Sequence, residues 1–377
     1  MIETKNDEKI WLSSPHMGGK EQEFVNKAFE ENWIAPLGPN VNGFESDLEK
    51  YLQEGTHVAA LSSGTAALHL GLQLVGVTRG DTVLCQSFTF AASANPIMYL
   101  GAEPIFVDSE KDTWNICPVQ LREAIEASLA KGKKPKAIIG VHLYGMPYKV
   151  DEVQKISEEY NIPVIEDSAE ALGSRYHGIS CGTFGDIAAL SFNGNKIITT
   201  SGGGALVSSK PEIKKKAIFL ASQARDDAPH YQHSEIGYNY RMSNITAGIG
   251  RGQMIVLDER VQARRRNYDY YVKHLSSKEG IHFLDEPKDV YSNRWLSCIL
   301  TDSFEQREEI RKELETYNVE SRPLWKPMHM QPVFKNCPTF NNGVSEELFN
   351  KGLCLPSGSN LELEHLEKVV ELIKKIG

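Results

Sequence analysis

Between about residue 58 and residue 210 short apolar runs rich in β-branched residues alternate with longer amphipathic stretches. The apolar runs cover 58–62, 82–86, 104–108, 137–143, 163–167, 187–192 and 204–208. Runs of this length, separated by segments with helical spacing, are the pattern of a mostly parallel sheet with crossover helices. Strands buried on both faces should be uniformly apolar, and AIIGVHL and PVIED are. The pattern predicts an α/β fold with a seven-stranded, mostly parallel sheet flanked by helices. In such sheets ligands bind beyond the carboxyl ends of the strands.

Residues 244–270 lack proline and are rich in helix formers, which predicts one long helix leaving the first domain. Beyond it, IHFLDE, WLSCILTD and ELEHLEKVVELIKKIG predict a smaller α+β unit of ordinary domain size. The expected division is a large domain over 1–250, N-terminal arm included, and a small C-terminal domain over 251–377.

Composition narrows the class. The 377 residues are 41% hydrophobic and 24% charged, an ordinary globular balance with no apolar run long enough for a bilayer. The opening MIETKNDEKI has no apolar core, so it reads as neither signal peptide nor anchor, and the expected location is cytoplasmic. The six cysteines form no close pair in sequence and are expected to be reduced core thiols. A net charge of -9 without a long basic stretch argues against a nucleic-acid partner. The Arg264, Arg265, Arg266 triplet is expected on a solvated or subunit-facing helix side. His230 and His233 have metal-like spacing but no supporting cysteines or carboxylates, so no metal site is expected.

Three motifs carry candidate chemistry. In LSSGTAALHLGL, Ser63, Gly64 and Thr65 open a helix after a strand, where free amides and the helix dipole suit a phosphate; a plain N-cap explains the same residues. In PVIEDSAEALGS, Glu166 and Asp167 end a very apolar strand, where a carboxylate needs a cation or several donors. A protonated pyridine nitrogen, a metal or a helix cap would each serve. In ALSFNGNKIITTSGGGALVSS, Lys196 follows Asp167 by 29 residues. It lies in a loop between Ser191 and three glycines, a setting for an imine-forming amine as well as for an ordinary surface lysine.

These motifs, with PHMGGKEQEFVNKAFEENWIAPLGPNVNGFE at the start and CLPSG near the end, resemble the DegT/DnrJ/EryC1/StrS sugar aminotransferases. That family has the aspartate-aminotransferase-like fold of pyridoxal phosphate (PLP) enzymes, fold type I. The resemblance implies Lys196 as the Schiff-base lysine and Asp167 as partner of the pyridine nitrogen. It places Gly64, Thr65 and Ser191 at the phosphate, Phe90 over the ring and Glu170 near the cofactor hydroxyl. The family usually has Gln or His at that last position. Asn239 in GYNYRMSN matches an asparagine reaching the neighbour's phosphate, which implies a homodimer with shared sites. A second departure is Ser201-Gly202-Gly203-Gly204 after Thr199 and Thr200, where the family commonly has Thr-Thr-Gly-Glu-Gly-Gly.

NGNKIITTSGGG, HMGG, IAPLG, NRWLS and SRPLWKPMH look like the enzymes that aminate C4 of UDP-4-keto-6-deoxy-N-acetylglucosamine toward bacillosamine or legionaminic acid. L-Glutamate is then the implied donor, 2-oxoglutarate the product and pyridoxamine phosphate the intermediate cofactor form. Candidate sugar-nucleotide contacts are Arg322, Trp325, Lys326 and His329, with Asn293 and Arg294 beside them. A structured loop between domains accounts for SRPLWKPMH equally well. His142 and Tyr144 approach the site or simply fill the core. A dinucleotide oxidoreductase would need an early Gly-x-Gly-x-x-Gly turn; Gly248, Gly250 and Gly252 fall inside a helix pattern instead. A non-enzymatic regulator of the same fold would tolerate loss of Lys196 or Asp167, and both are present.

Overall fold

All seven apolar runs become strands in the computed structural model, which describes residues 8–376. They are β1 (His57–Leu61), β2 (Thr82–Gln86), β3 (Glu103–Val107), β4 (Ala137–Val141), β5 (Val164–Asp167), β6 (Ile187–Ser191) and β7 (Gly204–Ser208). The first seven residues of the opening segment discussed above, and Gly377 at the end of the expected terminal helix, lie outside the described residues.

The sheet order is β1-β7-β6-β5-β4-β2-β3, with β7 antiparallel to both its neighbours and the other pairings parallel. An eighth strand, β8 (Thr339–Phe340), adds to β3 in parallel. Two residues carry no periodicity, so the sequence pattern did not announce β8. It is held by amides of β3 and the residue after it: Phe106 N–H donates to Pro338 O at 2.9 Å and Asp108 N–H to Phe340 O at 3.0 Å. Every residue of β2, β4 and β5 is buried, which is why these strands are so apolar. Truncating a fully buried residue such as Ile165 would cost about 2–5 kcal/mol.

The expected single helix over 244–270 is two helices, α1 (Asn244–Ile255) and α2 (Leu257–Leu275). They break at Val256, whose φ of -108° and ψ of 6° leave the helical region. The halves serve different layers. The glycines of α1 are buried against the N-terminal segment, where a Cβ on Gly252 would lie 2.6 Å from Glu21 N. That close approach, not phosphate binding, explains the glycine run.

The arginine triplet on α2 does not share one solvated side, because consecutive helical residues point about 100° apart. Arg264 is fully buried, Arg265 pairs with Glu286 at 2.6 Å, and Arg266 is exposed.

In the C-terminal part, Ile281–Phe283, Ser297–Thr301, Gly352–Leu355 and Arg322–Pro323 form an antiparallel sheet in that order. Its core joins Ile299, Leu353 and Leu355 to Ile310 and Leu314 of the helix Phe304–Thr316 and to Val369 and Ile373 of the helix Leu363–Lys375. The six cysteines are free thiols. Strand pairing nevertheless brings two of them together, with Cys298 Sγ 3.8 Å from Cys354 Sγ. Among the described residues no helix is long and apolar enough to cross a membrane.

Candidate active site

At the carboxyl ends of β1, β5 and β6 a cavity of about 700 Å³ is walled by the main sheet on one side and the C-terminal part on the other. Lys196, Asp167, Glu170, Ser63, Gly64, Thr65, Ser191 and Phe90 all line it, as do Arg322 and Trp325. Residues from distant stretches of chain thus meet in one space.

Asp167 ends β5 and is 5% exposed. The Ser93 hydroxyl donates to its Oδ2 at 2.6 Å and the Ala169 N–H to its Oδ1 at 3.2 Å, which fixes the carboxylate. Its neighbour Glu166 points to the opposite face, as strand alternation requires. There Glu166 meets His142 at 2.6 Å and the amides of Phe184 and Gly185 at 2.9 and 3.0 Å. Burial alone pushes the Glu166 carboxyl up, but these partners outweigh it and hold the group below its ordinary value. His142 is fully buried and stacked on Tyr148, a satisfied core histidine outside the cavity.

The loop carrying Lys196 is pinned from three sides. Asn195 O accepts from Ser13 Oγ and from Trp295 Nε1, each at 2.7 Å. The buried Arg264 guanidinium donates to Trp295 O at 2.6 Å, to Ser13 Oγ at 2.9 Å and to Lys196 O at 3.4 Å. The Lys196 ammonium then lies 3.3 Å from Glu170 Oε1 and 4.2 Å above the Trp295 ring. Burial pushes the Glu170 carboxyl up to about 7, against the downward pull of Lys196 and of the Tyr144 amide.

At the start of the helix Gly64–Leu74, Ser63 Oγ accepts from the Ala66 amide at 3.0 Å, so Ser63 is a true N-cap. The first amides of a helix lack intrahelical partners, which leaves those of Gly64 and Thr65, beside the Ser191 hydroxyl, for an anion. A Cβ on Gly204 would lie 2.3 Å from Gly64 N, so only glycine lets β7 approach this turn.

On the opposite wall, the Trp325 ring lies 5.5 Å from the Phe90 ring, and the Trp325 backbone N–H donates to the Tyr144 hydroxyl at 2.9 Å. The Arg322 guanidinium, 68% exposed, pairs with Glu320 at 2.8 Å. Four of the expected sugar contacts do not line the cavity. His329 is held between Ser87 Oγ at 2.7 Å and Glu346 at 3.1 Å. The Asn293 amide donates to Glu170 O and Leu172 O at 2.8 and 2.9 Å, and its oxygen accepts from Trp295 N–H at 2.9 Å. Arg294 sits over the Tyr268 ring and donates to Leu284 O. Lys326 does not line the cavity although its neighbour Trp325 does. Asn239 is exposed, beside Ser222, away from this chain's own cavity. Ser93 and Ser13 had no local sequence signal, and the arginine triplet and NRWLS did not point Arg264 and Trp295 to these roles; each acts through contacts far along the chain.

No cluster of three or more metal-ligating side chains occurs among the described residues. The donor set fits a different ligand: amides and hydroxyls for a phosphate, a fixed carboxylate for a cationic ring nitrogen, a primary amine for a carbonyl and an aromatic ring for a heterocycle. Such a set, on this fold, suits the chemistry of a PLP-dependent aminotransferase.

Comparison with known proteins agrees. Residues 15–374 match the DegT/DnrJ/EryC1/StrS aminotransferase family, and the chain belongs to it. EpsN of Bacillus subtilis (strain 168) is 50% identical, over 97% of this chain and 95% of its own length. The GDP-perosamine synthase of Escherichia coli O157:H7 is 38% identical over 97% of this chain and 98% of that protein. The sugar aminotransferase Spr1654 of Streptococcus pneumoniae in its PLP-form superposes with a TM-score of 0.90 at 27% identity, over 98% of both chains. The chain is a sugar aminotransferase with PLP as its cofactor.

Proposed function

We propose that the chain transfers an amino group from L-glutamate to C4 of UDP-4-keto-6-deoxy-N-acetylglucosamine, with Lys196 and Asp167 as its catalytic pair. The observation that carries the catalytic part is the meeting of both side chains in one cavity with the start of the helix Gly64–Leu74. Gly64, Thr65 and Ser191 would hold the phosphate, Asp167 would pair with the pyridine nitrogen and Phe90 would stack on the ring. Bound there, PLP supplies an electron sink for the pair released when a C–H bond breaks. Lys196 moves the proton, off Cα of the donor and onto C4 of the keto sugar. Asp167, held by Ser93 and Ala169, stays oriented through both halves.

The sugar nucleotide lies against Trp325 and Arg322, where a ring can stack and a diphosphate can pair. The UDP-linked substrate is supported by the longer strings NGNKIITTSGGG and SRPLWKPMH. A second reading, a GDP-linked 4-keto-6-deoxy sugar, is favoured by the 38% identity to a GDP-perosamine synthase. The exposed Phe29, Trp33, Ile34 and Leu37 support pairing with a second copy, whose site Asn239 would reach. The proposed functional division is a large cofactor-binding domain over 1–250 and a small domain over 251–377.

The test is incubation with PLP, L-glutamate and each keto sugar nucleotide in turn, followed by NMR of the product. A 4-amino sugar from the UDP substrate is expected. Unchanged UDP ketone beside a converted GDP ketone would overturn the nucleotide assignment.

A further inference from the structure

We propose that Glu170 is the proton acceptor of Lys196, storing as a carboxylic acid the proton that the ammonium must lose before its nitrogen can attack a carbonyl. The inference rests on the reading of Lys196 as the cofactor lysine and gives Glu170 a positioning and proton-holding role toward that residue.

The geometry is specific. Lys196 Nζ lies 3.3 Å from Glu170 Oε1, and the two side chains are 10% and 4% exposed. The other carboxyl oxygen is already taken, because the Tyr144 N–H donates to Oε2 at 2.7 Å. Tyr144 is in the left-handed region, φ 53°, which a bulky residue adopts only where its surroundings impose it. Asn293 holds the Glu170 backbone carbonyl at 2.8 Å. The carboxyl is therefore clamped with one oxygen toward the amine.

The step breaks one N–H bond and forms one O–H bond: Nζ–H3⁺ with COO⁻ becomes Nζ–H2 with COOH, and two opposite buried charges become none. Burial favours the neutral pair, since neither partner then carries a desolvation cost. The titratable groups facing Glu170 are Lys196, Asp167, Tyr144 and Cys298. Asp167 favours the acid form and the Lys196 ammonium opposes it. Were the lysine nitrogen joined to a carbonyl carbon through a C=N bond, any charge left on it would be spread over the conjugated system, so its opposition would weaken and Glu170 would keep the proton. Burial has already pushed its carboxyl up to about 7, where a proton passes either way near neutrality. When the lysine is released, the proton returns.

Infrared difference spectra of the full chain, taken with and without PLP at about pH 8, test this alongside the visible absorbance of the same samples. The expected result is a protonated-carboxyl C=O band that appears with the visible band and is lost in Glu170→Gln. Where that variant does not fold, Glu170→Asp shortens the side chain by one methylene, and the band must shift or vanish. A visible band without an acid band overturns the proposal while leaving Lys196 as the cofactor lysine. An acid band that survives unchanged in the variants also overturns it. Absence of the visible band in the wild type overturns the underlying reading of Lys196, and the role of Glu170 with it.

Discussion

The two walls of the cavity are built on different principles. On the sheet side, Asp167 is the last residue of a fully buried strand, Lys196 is pinned through the backbone of its loop, and Gly64 and Thr65 start a helix. On the other side, Arg322 is mostly exposed and, among the described residues, is paired with Glu320. A wall fixed by backbone geometry suits chemistry that every substrate shares. A wall of exposed side chains can change with little cost to the fold, which suits selection among sugar nucleotides.

Substitutions on the two walls should therefore differ in size and kind. Lys196→Ala should abolish the visible absorbance of the PLP-loaded protein and slow single-turnover transamination by on the order of 10³-fold or more. With Asp167 as the proposed charged partner of the ring nitrogen, worth up to about 3 kcal/mol, Asp167→Ala should lower PLP affinity by about 100-fold in an absorbance titration. A comparable loss on the sugar side would break the contrast between the walls.

Glu170 adds a pH signature on the sheet side. Its folded carboxyl is raised from 4.5 to about 7, so its stabilising contribution is complete below the lower value and is lost as pH rises through the upper one. The stability of the cofactor-free wild type minus that of Glu170→Gln, read by denaturant unfolding, should fall by about 3 kcal/mol across that window. A difference that rises with pH would contradict the burial argument.

On the sugar side, Trp325→Ala should raise the KM for the sugar nucleotide about tenfold and change kcat less, because stacking is worth on the order of 1 kcal/mol or somewhat more. Arg322→Ala should raise KM only a few-fold, and less in high salt, since an exposed and already paired guanidinium is well screened. Steady-state kinetics at two ionic strengths would sharpen the comparison.

The same contrast governs how much was legible in the sequence. The seven strands stood out because burial on both faces demands continuous apolar runs, and the sheet-side residues sit at strand or helix ends where special chemistry breaks those runs. The break at Val256 was not legible, since neither proline nor glycine marks it. Nor was the two-residue β8. In SRPLWKPMH no spacing rule decides which side chains face the cavity: Arg322 and Trp325, three residues apart, do, while Lys326 and His329, the latter in a 3-10 turn, do not. Ser93 and Arg264 act across 74 and 68 residues, on Asp167 and Lys196, distances over which local patterning is silent. Asn293 was sought as a sugar contact and is instead a clamp, because its environment and not its residue type sets its role.

The central claim is that Lys196 and Asp167 address opposite sides of one PLP ring. Borohydride reduction of the PLP-loaded wild type, followed by peptide mass mapping, tests it most directly. The account predicts the pyridoxyl group on Lys196, in a yield that falls with Asp167→Ala at limiting PLP. A pyridoxyl group on any other lysine of the wild type would contradict it.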